Sequence, residues 1–293
     1  DMGWLNNRIT LALDWYLRKS TDLLAEVPVA PGMATTNQMV RNIGDLKNVG
    51  IEATIGARVF DTPDFQWNTS LNVAWNKNKI TKLNDSADED FIIPVGGISM
   101  GNGNNIQAHK VGYPAFTFRT YEQIYDENGK PIEGAYVDQN GDGEINDKDF
   151  VMKHSPDPKV TMTWTNSFSY KNWDLSFAIR ANIGNYIYND ARANRTYRDG
   201  TWQNTSLRNM IESDWYFNGQ QPFSDAFLEN AGFVRCDNIT LGYTWPNLLD
   251  DHLRLRLYGA VQNPFVITKY TGIDPEIYGG IDRSTYPRPV TFT

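Results

Sequence analysis

The sequence predicts an all-β protein of antiparallel strands, and three observations carry the prediction. Apolar and polar residues alternate with period two in one segment after another. Tight, turn-rich links alternate with long connections. The 293 residues include 9 Trp, 15 Tyr and 14 Phe, yet no persuasive helical stripe appears.

The first strand places Ile9, Leu11, Leu13 and Trp15 on one face and Arg8, Thr10, Ala12, Asp14 and Tyr16 on the other. Ile51, Ala53, Ile55, Ala57 and Val59 then oppose Glu52, Thr54, Gly56, Arg58 and Phe60. Trp67, Thr69, Leu71, Val73 and Trp75 oppose Gln66, Asn68, Ser70, Asn72 and Ala74. Val160, Met162 and Trp164 alternate with threonines, and Trp173, Leu175, Phe177, Ile179 and Ala181 alternate with Asp174, Ser176, Ala178, Arg180 and Asn182. Ile239, Leu241, Tyr243 and Trp245 follow, then Leu253, Leu255, Leu257 and Gly259. A last candidate occupies residues 289–293. A short helix is expected only within residues 206–216.

The links at residues 61–64, 171–172 and 246–251 are short, whereas those at 17–50, 76–159, 183–232 and 262–288 are long. A sandwich has no reason to gather every long loop at one end. A transmembrane barrel does, with short turns on one side of the membrane and long loops on the other. Trp67 and Trp75 lie on one face, roughly 26 Å apart at ~3.3 Å per residue. At a tilt of ~40° that is about 20 Å of height, near the ~25 Å apolar band between aromatic girdles. The fold class is therefore an antiparallel transmembrane β-barrel, with a soluble β-sandwich or a small closed eight-stranded barrel as the alternatives.

Composition removes other classes. Lys plus Arg number 27 against 35 Asp plus Glu, a net charge of −8, so no nucleic acid partner is expected. Cys236 is the single cysteine and cannot form an internal disulfide. No run approaches the ~20 apolar residues of a spanning helix. A mean hydropathy of −0.52 does not separate a soluble protein from a barrel, whose lipid and lumen faces average out.

Specific phrases add to this reading: residues 48–52 (NVGIE), 72–83 (NVAWNKNKITKL), 233–242 (FVRCDNITLG), the stretch from Arg256 to Glu276, and Tyr286-Pro287-Arg288-Pro289. In this order they resemble the SusC/RagA family of TonB-dependent outer-membrane transporters, specifically the C-terminal portion of a 22-stranded plugged barrel. The whole span 1–293 is similar to that portion, and no residue here corresponds to the plug or TonB box. The resemblance implies location in the outer membrane of a Gram-negative, Bacteroidota-like bacterium, in contact with its lipid. It further implies energy from the TonB complex, a SusD-like surface lipoprotein as lid, and an oligosaccharide or peptide as substrate. It implies a transporter and no enzyme. The functional alternative is a soluble or secreted, calcium-containing, carbohydrate-binding β-sandwich.

Residues 138–149 carry the sharpest local motif. Asp138, Asn140 and Asp142 stand at loop positions 1, 3 and 5, Gly143 at 6, the Glu144 carbonyl at 7 and Asp149 at 12. This is the EF-hand-like arrangement for calcium. Aspartate at position 12 reaches less far than the usual glutamate, so affinity falls or magnesium competes. The motif's expected role is to brace a long connection, and the alternative is a polar turn.

Gly97-Ile98-Ser99-Met100-Gly101 matches the G-x-S-x-G elbow, but an elbow must enter a helix, and Asn102-Gly103-Asn104-Asn105 is a poor helix start. His109, His154 and His252 form no metal spacing. Arg8, Asp14, Glu52, Arg58, Asn68, Asn72, Arg180 and Asn182 are expected on the inner wall. Tyr186, Tyr188, Tyr197 and Trp202 are candidates to stack on sugar rings or to cover a partner protein.

Overall fold

The computed structural model describes residues 1–28, 38–83, 90–196, 215–248, 253–283 and 288–293. In chain order, the first strands are β1 (Met2–Trp4), β2 (Ile9–Pro28), β3 (Gln38–Asp61) and β4 (Phe65–Lys82). The next connection holds β5 (Ile92–Gly97), β6 (Asn105–Lys110), β7 (Thr117–Thr120), β8 (Gln123–Tyr125), β9 (Pro131–Tyr136) and β10 (Val151–Lys153). Then come β11 (Val160–Tyr170), β12 (Trp173–Ile183), β13 (Tyr186–Tyr188), the one-turn helix α1 (Asp190–Ala193) and β14 (Leu228–Asn230). The last three strands are β15 (Phe233–Leu248), β16 (Leu253–Thr268) and β17 (Thr291–Phe292).

Nine of these strands make one antiparallel meander in the order β1-β2-β3-β4-β11-β12-β15-β16-β17, which we call the wall. The links β1–β2, β3–β4, β11–β12 and β15–β16 are short and share one end; the links β2–β3, β4–β11, β12–β15 and β16–β17 share the other. The predicted alternation of short and long connections is thus the architecture itself.

Register aligns the apolar sets across strands. Trp15 pairs with Ile51, Ile51 with Trp75, Trp75 with Val160 and Val160 with Ile183, so one row of the outer face runs unbroken over five strands. Toward the short-turn end Trp67 stacks on Phe60 and Phe168 with centroids 6.2 and 5.4 Å apart. Trp173, Tyr243 and Trp245 continue that aromatic row at 4.7 and 4.5 Å. Trp67 therefore stands in an aromatic row at the short-turn margin of the apolar band, and Trp75 with Trp15 in an apolar row nearer the other margin.

Leu13, Trp15 and Leu257 on this face are 58, 66 and 58% exposed. A sandwich would bury that face under a second sheet, and none lies there among the described residues, which sets the sandwich aside. Lipid is the solvent such a face requires. Two indole N–H groups on it are paired within the wall: Trp67 Nε1 donates to Asn166 Oδ1 at 3.1 Å and Trp164 Nε1 to Thr69 Oγ1 at 2.9 Å.

The buried core lies in the long connections. Ile98, Met100, Ile106, Phe118, Tyr188, Ala193, Phe217 and Phe227 form its main cluster, with Ile80, Leu83 and Ile93 in a second. Beneath it, β5, β6, β7 and β10 form a four-stranded sheet.

Four expectations need correction. Phe60 was expected opposite the outward set of β3, but a register shift between Arg58 and Phe60 turns it to the outer face beside Trp67. Residues 262–268 were expected in a connection, but β16 continues to Thr268. Residues 17–50 were expected as a loop, but β2 runs to Pro28 and β3 starts at Gln38. Beyond the apolar band the strand no longer has lipid tails on one side, and Leu46 of β3 packs instead beside the buried Ile80 and Leu83, so alternation fades while the hydrogen-bonded ladder continues. Likewise β15 begins at Phe233, ahead of the expected Ile239. A bulge at Asp237 shifts the register between Cys236 and Asn238, and outward positions change from 234 and 236 to 239 and 241. Period-two reading cannot cross such a change. The helix expected within residues 206–216 falls chiefly outside the described residues, and Tyr216 itself is not helical.

Candidate functional site

The inner face of the wall is small and polar. Asp14 pairs with Glu52, Thr54 with Asn72, Arg58 with Asn68, and Thr163 with Arg180. These are the expected inner-wall residues, joined there by Asn182 opposite Thr161. Arg8 instead reaches along the short-turn end, donating to the carbonyls of Arg58 and Val59 at 3.3 and 2.8 Å.

The register puts Arg180 of β12 directly opposite Arg235 of β15. Like charges so placed repel, and the structure answers with carboxylates. Arg180 is bidentate to Asp237 at 3.0 and 3.1 Å and bidentate to Glu276 at 2.6 and 3.0 Å. Arg235, whose side chain is 3% exposed, donates from Nη2 to Asp274 at 2.7 Å, with its Nε 3.6 Å from Glu276. Arg288 lies 3.5 Å from Asp274 and 3.1 Å from Glu276. Three guanidinium groups thus balance three carboxylates. Burial alone would raise the Glu276 carboxyl, but the Arg180 guanidinium, with Arg288 and Arg235, outweighs it and holds that carboxyl below its ordinary value.

Asp274 and Glu276 belong to the segment following β16, residues 269–283, here called the strap. It folds back over the inner wall and is tied to the loop core as well. Tyr270 Oη donates to Asp282 at 2.7 Å, and burial together with that carboxylate pushes the phenol well above its ordinary pKa. Thr271 binds Glu229 through its N–H and hydroxyl, both at 2.8 Å, and Asp282 N donates to the Tyr188 carbonyl at 3.0 Å. Of this cluster, sequence reading reached only Arg180 as a wall residue. The partners of Arg235, Asp237, Asp274, Glu276 and Arg288 are fixed by a bulge and a chain reversal that period two does not encode.

The loop at residues 138–149 is closed by its own backbone. The Asp138 carboxylate accepts from the N–H groups of Gly141 and Gly143 at 2.6 and 2.8 Å. Asp142 accepts from Glu144 N at 3.0 Å and from Asn140 Nδ2 at 2.8 Å, and Asn140 Oδ1 accepts from Asp142 N at 3.0 Å. Asp149, fully buried, accepts from Gln139 N and Asn146 N at 2.9 and 2.8 Å, and these N–H groups hold its carboxyl below the ordinary range. Glycines 141 and 143 take the left-handed conformation, with φ of 72° and 84°. Among the described residues no group of three or more His, Cys, Asp or Glu side chains converges as metal ligands.

The remaining candidates have structural partners. Ser99 Oγ donates to the buried Asp190 Oδ2 at 2.6 Å, and β6 follows the turn where an elbow needs a helix. His109 Nδ1 accepts from Phe116 N at 3.3 Å, and His154 stacks on Tyr186 at 3.6 Å. Tyr188 is fully buried in the loop core, so it offers no stacking face. Tyr197, Trp202 and His252 lie outside the described residues.

No protein-family model matches the chain. It is 44% identical over its whole length to the TonB-dependent receptor SusC of Bacteroides thetaiotaomicron, covering 30% of that protein. It is 28% identical, again over its whole length, to the TonB-dependent receptor P3 of Formosa agariphila, covering 32% of it. Among solved structures, the RagAB peptide transporter superposes on 99% of the chain with a TM-score of 0.79 at 25% identity, the match covering 33% of the transporter chain. The chain therefore spans about a third of the length of the relatives it matches.

Proposed function

Because the chain is homologous over its whole length to SusC-type TonB-dependent receptors, we propose that it forms part of the barrel of an outer-membrane nutrient importer. The observation that carries this reading is the wall, a continuous meander with an open apolar face outside and a polar face inside. A barrel of this kind binds cargo, gates and transports, with energy from the TonB complex, and makes or breaks no covalent bond. A SusD-like surface lipoprotein covers the mouth, and the cargo is an oligosaccharide or a peptide. The name of the 44% identical relative supports the receptor class, and the RagAB structures support a two-protein transporter.

The loop of residues 138–149 contributes a calcium brace in this reading. Asp138, Asn140, Asp142 and Asp149 supply side-chain oxygens and Glu144 its carbonyl. These oxygens already accept N–H bonds and keep further lone pairs, so the ion has to draw the carboxylates together, and binding is weak.

The test is deletion of the complete receptor gene in its own host, followed by growth on defined oligosaccharides and on peptides. Loss of one nutrient, reproduced by removing TonB, is expected. Unchanged growth on all of them sinks the importer reading. Detergent purification of the complete receptor is expected to bring down a lipoprotein, and recovery of the receptor alone argues against the lid.

A further inference from the structure

A row of like charges crosses the wall just past its apolar band. Register pairs Lys19 of β2 with Lys47 of β3, and Lys47 with Lys79 of β4. One step nearer the band, Leu17 pairs with Val49 and Val49 with Lys77, and the next step is the row of Trp15, Ile51 and Trp75. These residues take alternate positions on their strands, so Lys19, Lys47, Lys77 and Lys79 share the outer face with the apolar set below them. The opposite face is occupied: Leu46 and Ile80, next in sequence to Lys47 and Lys79, pack into the loop core. Like charges directly opposite one another on a sheet repel. Where the wall sets Arg180 against Arg235, carboxylates neutralise both. Among the described residues, none of the four lysines makes an ion pair. Asp45, at the register shift beyond the row, accepts instead from Asp22 N at 3.3 Å. Lys19, Lys77 and Lys79 are exposed, and Lys47 is half-buried.

We propose that this row is a docking site for an anionic, phosphate-bearing lipid of the outer leaflet; the proposal rests on the outer-membrane barrel reading and is independent of cargo. Height comes first. Lys77 and Lys79 follow Trp67 of the short-turn aromatic row by 10 and 12 residues. At ~3.3 Å per residue and a tilt of ~40° they stand about 25 and 30 Å above it, where the ~25 Å apolar band gives way to headgroups. The long connections gather at this end, which is the outer end in barrels of this kind. Face comes second: whatever fills the barrel meets the inner wall and does not reach these side chains. Chemistry comes third. A lysine lays its methylenes along apolar neighbours and lifts its ammonium to the headgroups. A headgroup without net charge leaves three facing ammonium groups uncompensated, whereas a phosphate with net negative charge offsets them and accepts from more than one. Continuity with Trp15, Leu17 and Trp75 below, against which acyl chains lie, selects a lipid over a soluble anion.

The experiment uses the complete receptor, purified in a non-ionic detergent and titrated with phosphatidylglycerol, phosphatidylcholine or inorganic phosphate, with bound species counted by native mass spectrometry. Phosphatidylglycerol is expected to bind about fivefold or more tightly than phosphatidylcholine, since each lysine beside an anionic headgroup contributes about fivefold. Lys19→Gln/Lys47→Gln/Lys79→Gln should weaken phosphatidylglycerol about tenfold or more and leave phosphatidylcholine unchanged. Lys19→Arg/Lys47→Arg/Lys79→Arg should stay near wild type. The thermal unfolding midpoint gives a second readout. Without anionic lipid the glutamine variant, freed of repulsion, should be at least as stable as wild type, and phosphatidylglycerol should raise the midpoint of wild type alone. Equal affinity of the wild type for the two lipids overturns the proposal. So does a glutamine variant that keeps the wild-type preference, which places the lipid elsewhere. Displacement of phosphatidylglycerol by an equal concentration of inorganic phosphate overturns the lipid assignment. No cargo enters the measurement, so failure here and failure of the nutrient phenotype are told apart.

Discussion

Replacing Asp274 by alanine removes the 2.7 Å partner of Arg235, an arginine whose side chain is 3% exposed and whose nearest other carboxylate oxygen is 3.6 Å away, on Glu276. Arg235 Nε is already buried without a hydrogen bond, so the side chain has little slack. Breaking a buried pair from one side costs about 3–5 kcal/mol, because the remaining charge cannot be rehydrated. Asp274 Oδ1 also accepts from Glu276 N at 2.8 Å, so the strap's own turn loosens. The cost is local, falling on strap opening, and each 1.4 kcal/mol is about tenfold in an equilibrium. Hydrogen exchange on the complete receptor in detergent should therefore show strap amides, those of Glu276 and Asp282 among them, losing protection by about 10²–10³-fold. Amides of β11 and β12 should hardly change. Asp274→Asn keeps an acceptor without the charge and should cost less, about 1.5–3 kcal/mol. Adding Arg235→Leu to Asp274→Ala should recover much of the loss, since no buried charge is then left unpaired. Strap protection within tenfold of wild type in Asp274→Ala refutes the reasoning, as does equal loss throughout the wall.

Three further outcomes are expected. Arginine at Leu71 or Phe177, both on the outer face, should impair membrane assembly by about 2–4 kcal/mol each; normal heat-modifiable receptor in both variants would mean that the faces are reversed. Glu276 is held below its ordinary value of 4.5, so its contribution is complete above that pH and lost as pH falls through the depressed value. Strap amides should accordingly lose protection in acid below about pH 4.5, less so in Glu276→Gln, whose strap is already loosened; equal pH dependence in both proteins would assign the loss to other groups. Calorimetry of the complete receptor should show weak calcium binding that Asp142→Ala abolishes, and identical heats in the two proteins would leave residues 138–149 a polar turn.

Much of the wall was legible because lipid on one side and water on the other impose period two, and Leu13, Leu71, Trp164, Phe177 and Leu241 obey it. Where that asymmetry ends, legibility ends with it. The outer parts of β2 and β3 lack a side facing lipid tails and read as loop, Leu46 there packing against the loop core, although their ladder bonds continue. Asp237 breaks the period by a single inserted residue and hides the start of β15. The loop at residues 138–149 was legible as a turn with glycines at fixed places, since that geometry is local.

Sequence alone determined the strands through the membrane, their faces, the end at which the long connections gather and, through whole phrases, the family. Tertiary structure alone decided that the strap lies against the inner wall, that Arg180 and Arg235 face each other and are neutralised from 39 to 96 residues away, and that Tyr188 is core while Tyr278 is bare. The physical reason is range. Alternation reports the solvent beside each residue, whereas a salt bridge or a buried ring reports which distant segment has returned to meet it.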